Sequence, residues 1–212
     1  MRFYRRADWP RSSLFTFSNP FALPATVLAP IKEAVTVRKT ISFPEVDAAI
    51  AKIASEIAAT HKGTDNLVLA AIANGGIGLT EILHDRLSSD HNIQTLKAVV
   101  DISFYRDDIG VNPIAKEVEA TELAQNPEDA TIILVDDVLF TGRSVRAALS
   151  EIHALGRPKK IELTTLVDRG NRILPIQSDY IGLIEPTTPD EKVVVKLIPN
   201  NLAKSHIDIL NS

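Results

Sequence analysis

The strongest constraint on the fold of this 212-residue chain is a series of short apolar runs separated by helical patterns. Residues 66–73 (NLVLAAIA) and 131–135 (TIILV) lack the apolar–polar alternation of a half-exposed strand. Strands of a parallel sheet have this composition, because helices cover both of their faces. The sequence therefore predicts an α/β fold, with a mainly parallel sheet flanked by helices through right-handed crossovers.

Local signals place the remaining elements. The first helix is predicted to begin at Ser42, because Glu45 follows it at capping-box spacing and Pro44 is tolerated in a first turn. Its apolar stripe ends near His61. The other predicted elements are helices over about 79–87 and 143–155, strands at 96–104, 161–167, 180–183 and 193–197, and a long loop at 106–129 with a short strand near 114–118. A loop of that length inside a compact domain is typical of a functional segment or a lid.

The first forty residues differ from the rest of the chain. They carry four prolines and a net charge of +5, whereas residues 41–212 carry −9. Because they show no sustained apolar period, residues 1–40 are predicted to form an N-terminal extension to a domain that covers 41–212. Their arginines leave a transit peptide open as an alternative. The protein is expected to be cytoplasmic, with an organelle as the alternative.

Composition excludes several classes of function. The chain has no cysteine, which rules out disulfide scaffolds, thiolate metal sites and cysteine nucleophiles. It contains no run of about 18 apolar residues, so no membrane span is expected. The acidic balance of 41–212 argues against a long basic face for nucleic acid, since affinity for phosphates depends on clustered Lys and Arg.

One segment, residues 132–144 (IILVDDVLFTGRS), carries a pattern suited to chemistry. A buried strand brings Asp136 and Asp137 to the sheet edge where open α/β sheets bind ligands. The backbone N–H groups and hydroxyls of 141–144 then open a helix, whose positive end suits a phosphate. The two carboxylates suit sugar hydroxyls or a hydrated Mg²⁺. A sugar phosphate fits both halves, and the alternative is an ordinary strand end followed by a helix cap.

The sequence VDDVLFTGRS at 135–144 resembles the phosphoribosyl pyrophosphate (PRPP) signature of type I phosphoribosyltransferases. Residues 101–108 (DISFYRDD), 155–158 (LGRP) and 166–176 (LVDRGNRILPI) narrow the resemblance. Together these segments are similar to the PyrR type, which combines pyrimidine operon regulation with uracil phosphoribosyltransferase activity. The resemblance covers about 41–198.

The resemblance implies a type I phosphoribosyltransferase fold with a twisted sheet and a small hood. It also implies a pentosyltransferase, that is a glycosyltransferase, in which uracil displaces pyrophosphate from PRPP to give UMP, with Mg²⁺ as cofactor. The implied partners are PRPP, uracil and UMP, with no membrane, in a homo-oligomer such as a dimer or tetramer.

Carried onto this chain, the resemblance implies four groups of site residues. The predicted catalytic residues are Asp136, Asp137 and Arg106, and the two aspartates also hold the metal directly or through water. The predicted PRPP and phosphate-binding residues are Val138, Leu139, Phe140, Thr141, Gly142, Arg143 and Ser144. The predicted pyrophosphate loop is Asn74, Gly75 and Gly76, and the predicted base-binding residues are Val167, Asp168, Arg169 and Gly170.

The predicted pyrophosphate loop departs from the family, which usually carries Thr-Arg-Gly after a Lys or Arg. Here Asn74-Gly75-Gly76 follows Ala73. Loss of a charge-assisted contact to a developing anion costs about 2–4 kcal/mol, or roughly 10² to 10³ in rate. Weakened or lost catalysis is therefore expected, with Arg106 or Lys116 of the long loop as a substitute cation. A non-catalytic nucleotide-binding protein is the alternative.

Two further positions bear on specificity and partners. Phe140 stands where purine phosphoribosyltransferases have an aspartate that acts on the base nitrogen, which favours a pyrimidine. The helix over 45–60, which faces RNA in PyrR attenuators, keeps only Lys52 as a basic residue. RNA binding is therefore the less favoured function. A basic patch of Arg157, Lys159, Lys160 and Arg172 would be its remaining support.

Overall fold

The computed structural model describes residues 35–102 and 127–211. Of the predicted loop at 106–129, residues 106–126, with Arg106 and the short strand near 114–118, lie outside the described residues. The strands are β1 (Thr36–Ile41), β2 (Leu67–Ile72), β3 (Leu96–Val100), β4 (Thr131–Leu139), β5 (Lys160–Asp168), β6 (Tyr180–Ile184), β7 (Glu191–Lys196) and β8 (His206–Asn211). The helices are α1 (Phe43–Thr60), α2 (Gly76–His91) and α3 (Arg143–Leu155), with 3-10 helices at Pro127–Asp129 and Pro199–Lys204.

The main sheet has five parallel strands in the order β3-β2-β4-β5-β6. All six residues of β2 are buried, as its continuous apolar run requires. Alternate residues of the strands pack into two cores, one containing α1 and α2 and the other containing α3. The prediction of an α/β fold with a parallel sheet is confirmed.

Helix α1 follows the predicted pattern closely. The carboxylate of Glu45 accepts hydrogen bonds from the backbone N–H (3.1 Å) and the hydroxyl (3.0 Å) of Ser42, the N-cap residue. Its apolar stripe is fully buried. The helix ends where the backbone N–H of His61 donates to the carbonyl of Ile57 at 2.9 Å. The sequence signals for helix start, face and stop are all confirmed.

A second, antiparallel sheet has the order β1-β8-β7. Strands β1 and β8 were not predicted from the sequence, and residues 36–40, which were assigned to the extension, form most of β1. Strand β1 lies at an edge and only Ile41 in it is buried, so it has no apolar period to detect. Leu197 at the end of β7 lies against Gly78 near the start of α2, which places this small sheet at the carboxyl end of β2. It corresponds to the hood that the resemblance implied.

Strand bounds differ from prediction in two other places. Strand β3 ends at Val100, so residues 101 and 102, which were predicted to belong to it, lie outside the strand. Strand β4 continues to Leu139, four residues beyond the prediction, because its pairing with β5 extends to Asp168. Among the described helices, none is long and apolar enough to cross a bilayer.

A buried polar cluster ties α1 to β5 and β6. Glu162 is 5% exposed, and its carboxylate is bonded to the imidazole of His61 (2.6 Å) and the hydroxyl of Tyr180 (3.1 Å). Burial acts to raise the pKa of Glu162, but hydrogen bonds from Lys160 and His61 outweigh it and the net pKa is lowered. Burial, together with the nearby carboxylate, raises the pKa of Tyr180 to about 12. The cluster therefore holds Glu162 charged and Tyr180 neutral.

Replacing Glu162 with Gln should lower the free energy of unfolding at neutral pH by about 1–3 kcal/mol, since buried partners lose a charged acceptor. The folded pKa lies below the ordinary 4.5, so this stabilisation is complete above about pH 4.5 and is lost as the pH falls through the folded pKa. Urea unfolding of wild type and variant should show the gap narrowing in acid. A gap that stays constant down to about pH 3 would contradict this assignment. Glu81→Gln, in an exposed ion pair with Lys97, serves as the control and should change stability by less than about 0.5 kcal/mol.

Candidate active site

The candidate site lies at the carboxyl ends of neighbouring strands β2 and β4. Helix α2 begins at Gly76 just after β2, and helix α3 begins at Arg143 just after β4. Two helix N-termini, each with unpaired backbone N–H groups and a partial positive charge, therefore flank the end of β4. Asp136 and Asp137 lie between them, in the carboxyl-terminal half of β4.

The two aspartates form a tightly coupled acidic pair. Asp136 is 7% exposed, and one of its carboxylate oxygens accepts the backbone N–H of Asp137 at 3.0 Å. Burial, followed by repulsion from the neighbouring carboxylate, raises the pKa of Asp136 well above its ordinary value. Burial likewise raises the pKa of Asp137. A cation or a pair of hydroxyl groups at this place would relieve both penalties.

The chemistry of the pair suits Mg²⁺ brought in with a substrate. Carboxylate oxygens are hard ligands of the kind Mg²⁺ prefers, and the ion commonly keeps waters and substrate phosphate oxygens around it. Across 35–102 and 127–211 there is no cluster of three acidic or histidine side chains that would hold an ion alone. Asp136 and Asp137 therefore fit a shared, substrate-borne ion better than a permanent one.

The segment after β4 has the shape of an anion-binding loop. Gly142 adopts a φ of +89°, a conformation that favours glycine, and it lies against the side chains of Leu174 and Ile176. The hydroxyl of Thr141 accepts the backbone N–H of Arg143 at 3.4 Å. Thr141, Arg143 and Ser144 are at least partly exposed at the start of α3, where an anion could reach them. The predicted phosphate loop is thus a glycine turn at a helix N-terminus.

The predicted pyrophosphate loop, Asn74 to Gly76, packs directly against the strand that carries the aspartates. A Cβ atom at Gly75 would lie 2.4 Å from a carboxylate oxygen of Asp137, and one at Gly76 would lie 2.0 Å from the carbonyl oxygen of Val135. The Asp137 carboxylate therefore fills the space in which a side chain at residue 75 would begin. Both glycines allow the close approach of β2's loop to β4.

The predicted base-binding residues make most of their polar contacts within the protein. The Asp168 carboxylate accepts hydrogen bonds from the backbone N–H of Gly170 (2.9 Å) and from Arg172 (2.6 Å). Arg169 is 6% exposed, and its guanidinium donates to Thr187 (2.7 Å) and to the carbonyls of Thr188 and Glu191. The same guanidinium lies 4.0 Å from the centre of the Phe140 ring, a cation–π contact. The side chains of Asp168 and Arg169 therefore hold the loop after β5 in place next to the phosphate loop.

Two parts of the site were not found from the sequence. Arg172, which the sequence analysis placed only in a basic patch, binds the carbonyls of Leu139 and Phe140 at the end of β4. Segment 187–191, which accepts the hydrogen bonds of the Arg169 side chain, carries no sequence motif that would identify it as part of the site. Lys160 pairs with Glu162, so neither it nor Arg172 stands free for a surface patch. Long-range hydrogen bonds of this kind leave no local pattern in a sequence.

Comparison of folds defines the class of protein first. Hypoxanthine phosphoribosyltransferases from Staphylococcus aureus and Trypanosoma cruzi superpose with TM-scores of 0.57 and 0.59. They cover 74% and 81% of this chain and 82% and 94% of their own, at 20% and 18% identity. At that identity they show the fold alone, which is the type I phosphoribosyltransferase fold.

Sequence comparison identifies the family. Residues 42–198 match the phosphoribosyl transferase domain. Bifunctional protein PyrR of Deinococcus radiodurans is 42% identical over 74% of this chain and 86% of its own length. The same-named proteins of a Geobacter species and of Clostridioides difficile are 42% and 41% identical, over 74% and 71% of this chain and 88% and 85% of their own lengths. The chain therefore belongs to the phosphoribosyltransferase family, as a protein of the PyrR type.

The two adjacent glycines should respond differently to substitution. Gly76→Ala should lower the free energy of unfolding by about 1–3 kcal/mol, because its new methyl group would meet the main chain of Val135, which has little freedom to move. Gly75→Ala should change stability by less than about 0.5 kcal/mol, because its methyl group would meet the end of the half-buried Asp137 side chain, which can rotate away as main chain cannot. Urea unfolding of both variants measures the difference. Equal losses at the two positions would show that the loop does not pack as described.

Proposed function

We propose that this chain is a uracil phosphoribosyltransferase of the PyrR type, which converts uracil and PRPP into UMP and pyrophosphate. The observation that carries the proposal is the buried Asp136–Asp137 pair between two helix N-termini. Carboxylates at that place suit the hydroxyls of a pentose, and a helix N-terminus on each side suits a phosphate at each end of it. The uracil assignment is supported by the PyrR relatives and by Phe140.

The proposed reaction needs no side-chain nucleophile. The 5′-phosphate would bind at 141–144, the ribose hydroxyls at Asp136 and Asp137, and the pyrophosphate near Asn74 to Gly76. The base would lie along 167–170, where backbone atoms and the Arg169–Phe140 stack form the wall. Catalysis would come from holding C1′ of the ribose in line between base and leaving group. When bound, Mg²⁺ supplies charge neutralisation for the departing pyrophosphate.

Phe140 supports a pyrimidine rather than a purine. It offers no carboxylate or other proton acceptor to a base nitrogen, and its ring is covered by the Arg169 guanidinium. Its carbonyl oxygen is bonded to Arg172 at 2.9 Å. Phe140 therefore offers only an apolar surface. It cannot exchange a proton with a base nitrogen, as an aspartate at this position could.

The neutral pyrophosphate loop supports slow turnover. Ala73 and Asn74 carry no positive charge, and Gly75 has no side chain. Backbone N–H groups at the start of α2 would be the main partners of the leaving group in the described part of the chain. Arg106, outside the described residues, is the proposed additional cation. We therefore expect a catalyst weaker than one with a cationic loop.

RNA-dependent regulation is a second candidate, favoured by the PyrR relatives and opposed by the surface charge. Lys52, the one basic residue on α1, lies 3.9 Å from Glu56 and donates to the carbonyl of Ile181 at 2.9 Å. Filter binding to a pyrimidine-operon leader RNA at low salt would test it. UMP-dependent retention with a steep salt slope would support an RNA-binding role, and no retention would exclude it.

Incubation of the purified chain with PRPP, Mg²⁺ and uracil should yield UMP, whereas hypoxanthine should yield no IMP. Asp137→Asn should lower kcat/KM by about 10²–10³, since charge aimed at the reacting sugar is lost. Asp90→Asn, an exposed carboxylate near the end of α2, should leave kcat/KM unchanged. Chromatography of the reaction mixture measures the UMP or IMP formed. Tight UMP binding without turnover would instead identify a non-catalytic nucleotide-binding protein.

Restoring a cation to the loop should raise activity. Ala73 is half-exposed, so Ala73→Lys can place an ammonium beside the leaving group without displacing Asp137. We expect kcat/KM for PRPP to rise by about tenfold or more, because a charge-assisted contact is worth about 1.5–3 kcal/mol. Ala154→Lys, on the exposed face of α3, adds the same charge elsewhere and should have no effect. An equal response of both variants would point to general electrostatic attraction, and no response of either would remove the loop from the proposed site.

A further inference from the structure

Main-chain carbonyls of the phosphate loop accept several hydrogen bonds from segment 169–174. The backbone N–H of Arg169 donates to the carbonyl of Leu139 at 3.1 Å. The backbone N–H groups of Ile173 and Leu174 both donate to the carbonyl of Thr141, at 3.1 and 3.0 Å. These hydrogen bonds cross from the loop after β5 to the loop after β4.

Arg172 completes this set of contacts with its side chain. One terminal nitrogen of its guanidinium donates to the carbonyls of Leu139 (3.3 Å), Phe140 (2.9 Å) and Gly170 (3.0 Å). The other terminal nitrogen donates to the Asp168 carboxylate at 2.6 Å, and Nε donates to the carbonyl of Ile176 at 3.0 Å. All three guanidinium nitrogens therefore donate to acceptors within the protein, and the side chain is 23% exposed.

The planar peptide group fixes the direction of the N–H groups in the phosphate loop. The carbonyls of Leu139, Phe140 and Thr141 all point to segment 169–174. In a trans peptide the next residue's N–H points in the opposite direction from the carbonyl. The N–H groups of Phe140, Thr141 and Gly142 therefore point away from that segment. Within the described ranges, no acceptor pairs with the N–H of Thr141 or Gly142.

We propose that Arg172 is a positioning residue for phosphate binding: with segment 169–174, it fixes three consecutive peptide groups so that their N–H groups form a preset anion nest. Successive N–H groups turned to one side make such a nest, and donors that are already oriented lose little on binding. The inference rests on the proposed function, because it identifies the nest as the seat of the 5′-phosphate. Arg172 would thus support the phosphate loop, while the backbone of 167–170 stays available to the base.

The test is a comparison of ligands with and without the phosphate. NMR titration of the full chain with UMP and with uridine covers affinities into the millimolar range. Arg172→Lys keeps the charge but loses the fork, and Arg172→Met loses both. Both variants should bind UMP about 10–100-fold more weakly, the usual effect of losing a group that orients a ligand-binding group. Uridine affinity should change by less than about twofold, because uridine makes no phosphate contact.

Arg86→Met provides the matched control. Arg86 is also a half-buried arginine, but its guanidinium pairs with Asp47 of α1, away from the phosphate loop. The Arg86→Met variant should have reduced thermal stability, but it should not weaken UMP binding more than uridine binding. If Arg172→Met fails to fold, Arg172→Lys carries the test. Unchanged UMP affinity, or equal losses for UMP and uridine, would overturn the proposal.

Backbone amide shifts separate this inference from the proposed function. Inorganic phosphate should shift the amide resonances of Phe140, Thr141 and Gly142 in wild type and have a weaker effect in Arg172→Lys. If the wild-type chain binds neither UMP nor PRPP but shows these phosphate shifts, the proposed function fails and the positioning role stands. If the three wild-type amides do not respond to phosphate, the positioning role fails, whatever the outcome of the activity assay.

Discussion

The close approach of two carboxylates at the end of a buried strand governs the rest of this site. Burial raises the pKa of both Asp136 and Asp137, and repulsion from the neighbouring carboxylate raises that of Asp136 further, so an empty site is electrostatically costly. The surrounding structure provides the positive ends of two helices and a glycine turn. A ligand that brings hydroxyls and a metal ion relieves this electrostatic cost. The carboxylate pair therefore favours such a ligand over one that lacks them.

The sequence predicted the parts of the fold that depend on local periodicity or capping. Helix α1, with its Ser42 start and buried stripe, and the fully buried β2 follow from residues close together in the chain. Strand β1 did not, because an exposed edge strand has no apolar face. Its pairing with β8, more than 160 residues later, depends on tertiary structure that a local pattern does not encode.

The same distinction holds within the site. The phosphate loop and the acidic pair form one continuous motif, so the sequence predicted both and placed them at the correct sheet edge. The role of Arg172 depends on where a later loop folds back, which the sequence could not show. The side chains of Asp168 and Arg169, two residues predicted to contact the base, bind other parts of the protein. The motif thus predicted where these residues lie in the fold, and their roles in ligand binding stay a prediction.

The contact between Gly75 and the Asp137 carboxylate limits how this loop can be re-engineered. A Cβ atom at residue 75 would lie 2.4 Å from a carboxylate oxygen of Asp137. Any side chain at that residue, a cationic one included, would therefore displace the acid on which ligand binding is proposed to depend. A charge added to the loop has to enter from a residue whose side chain does not share space with that acid, so where a cation is placed matters as much as its presence.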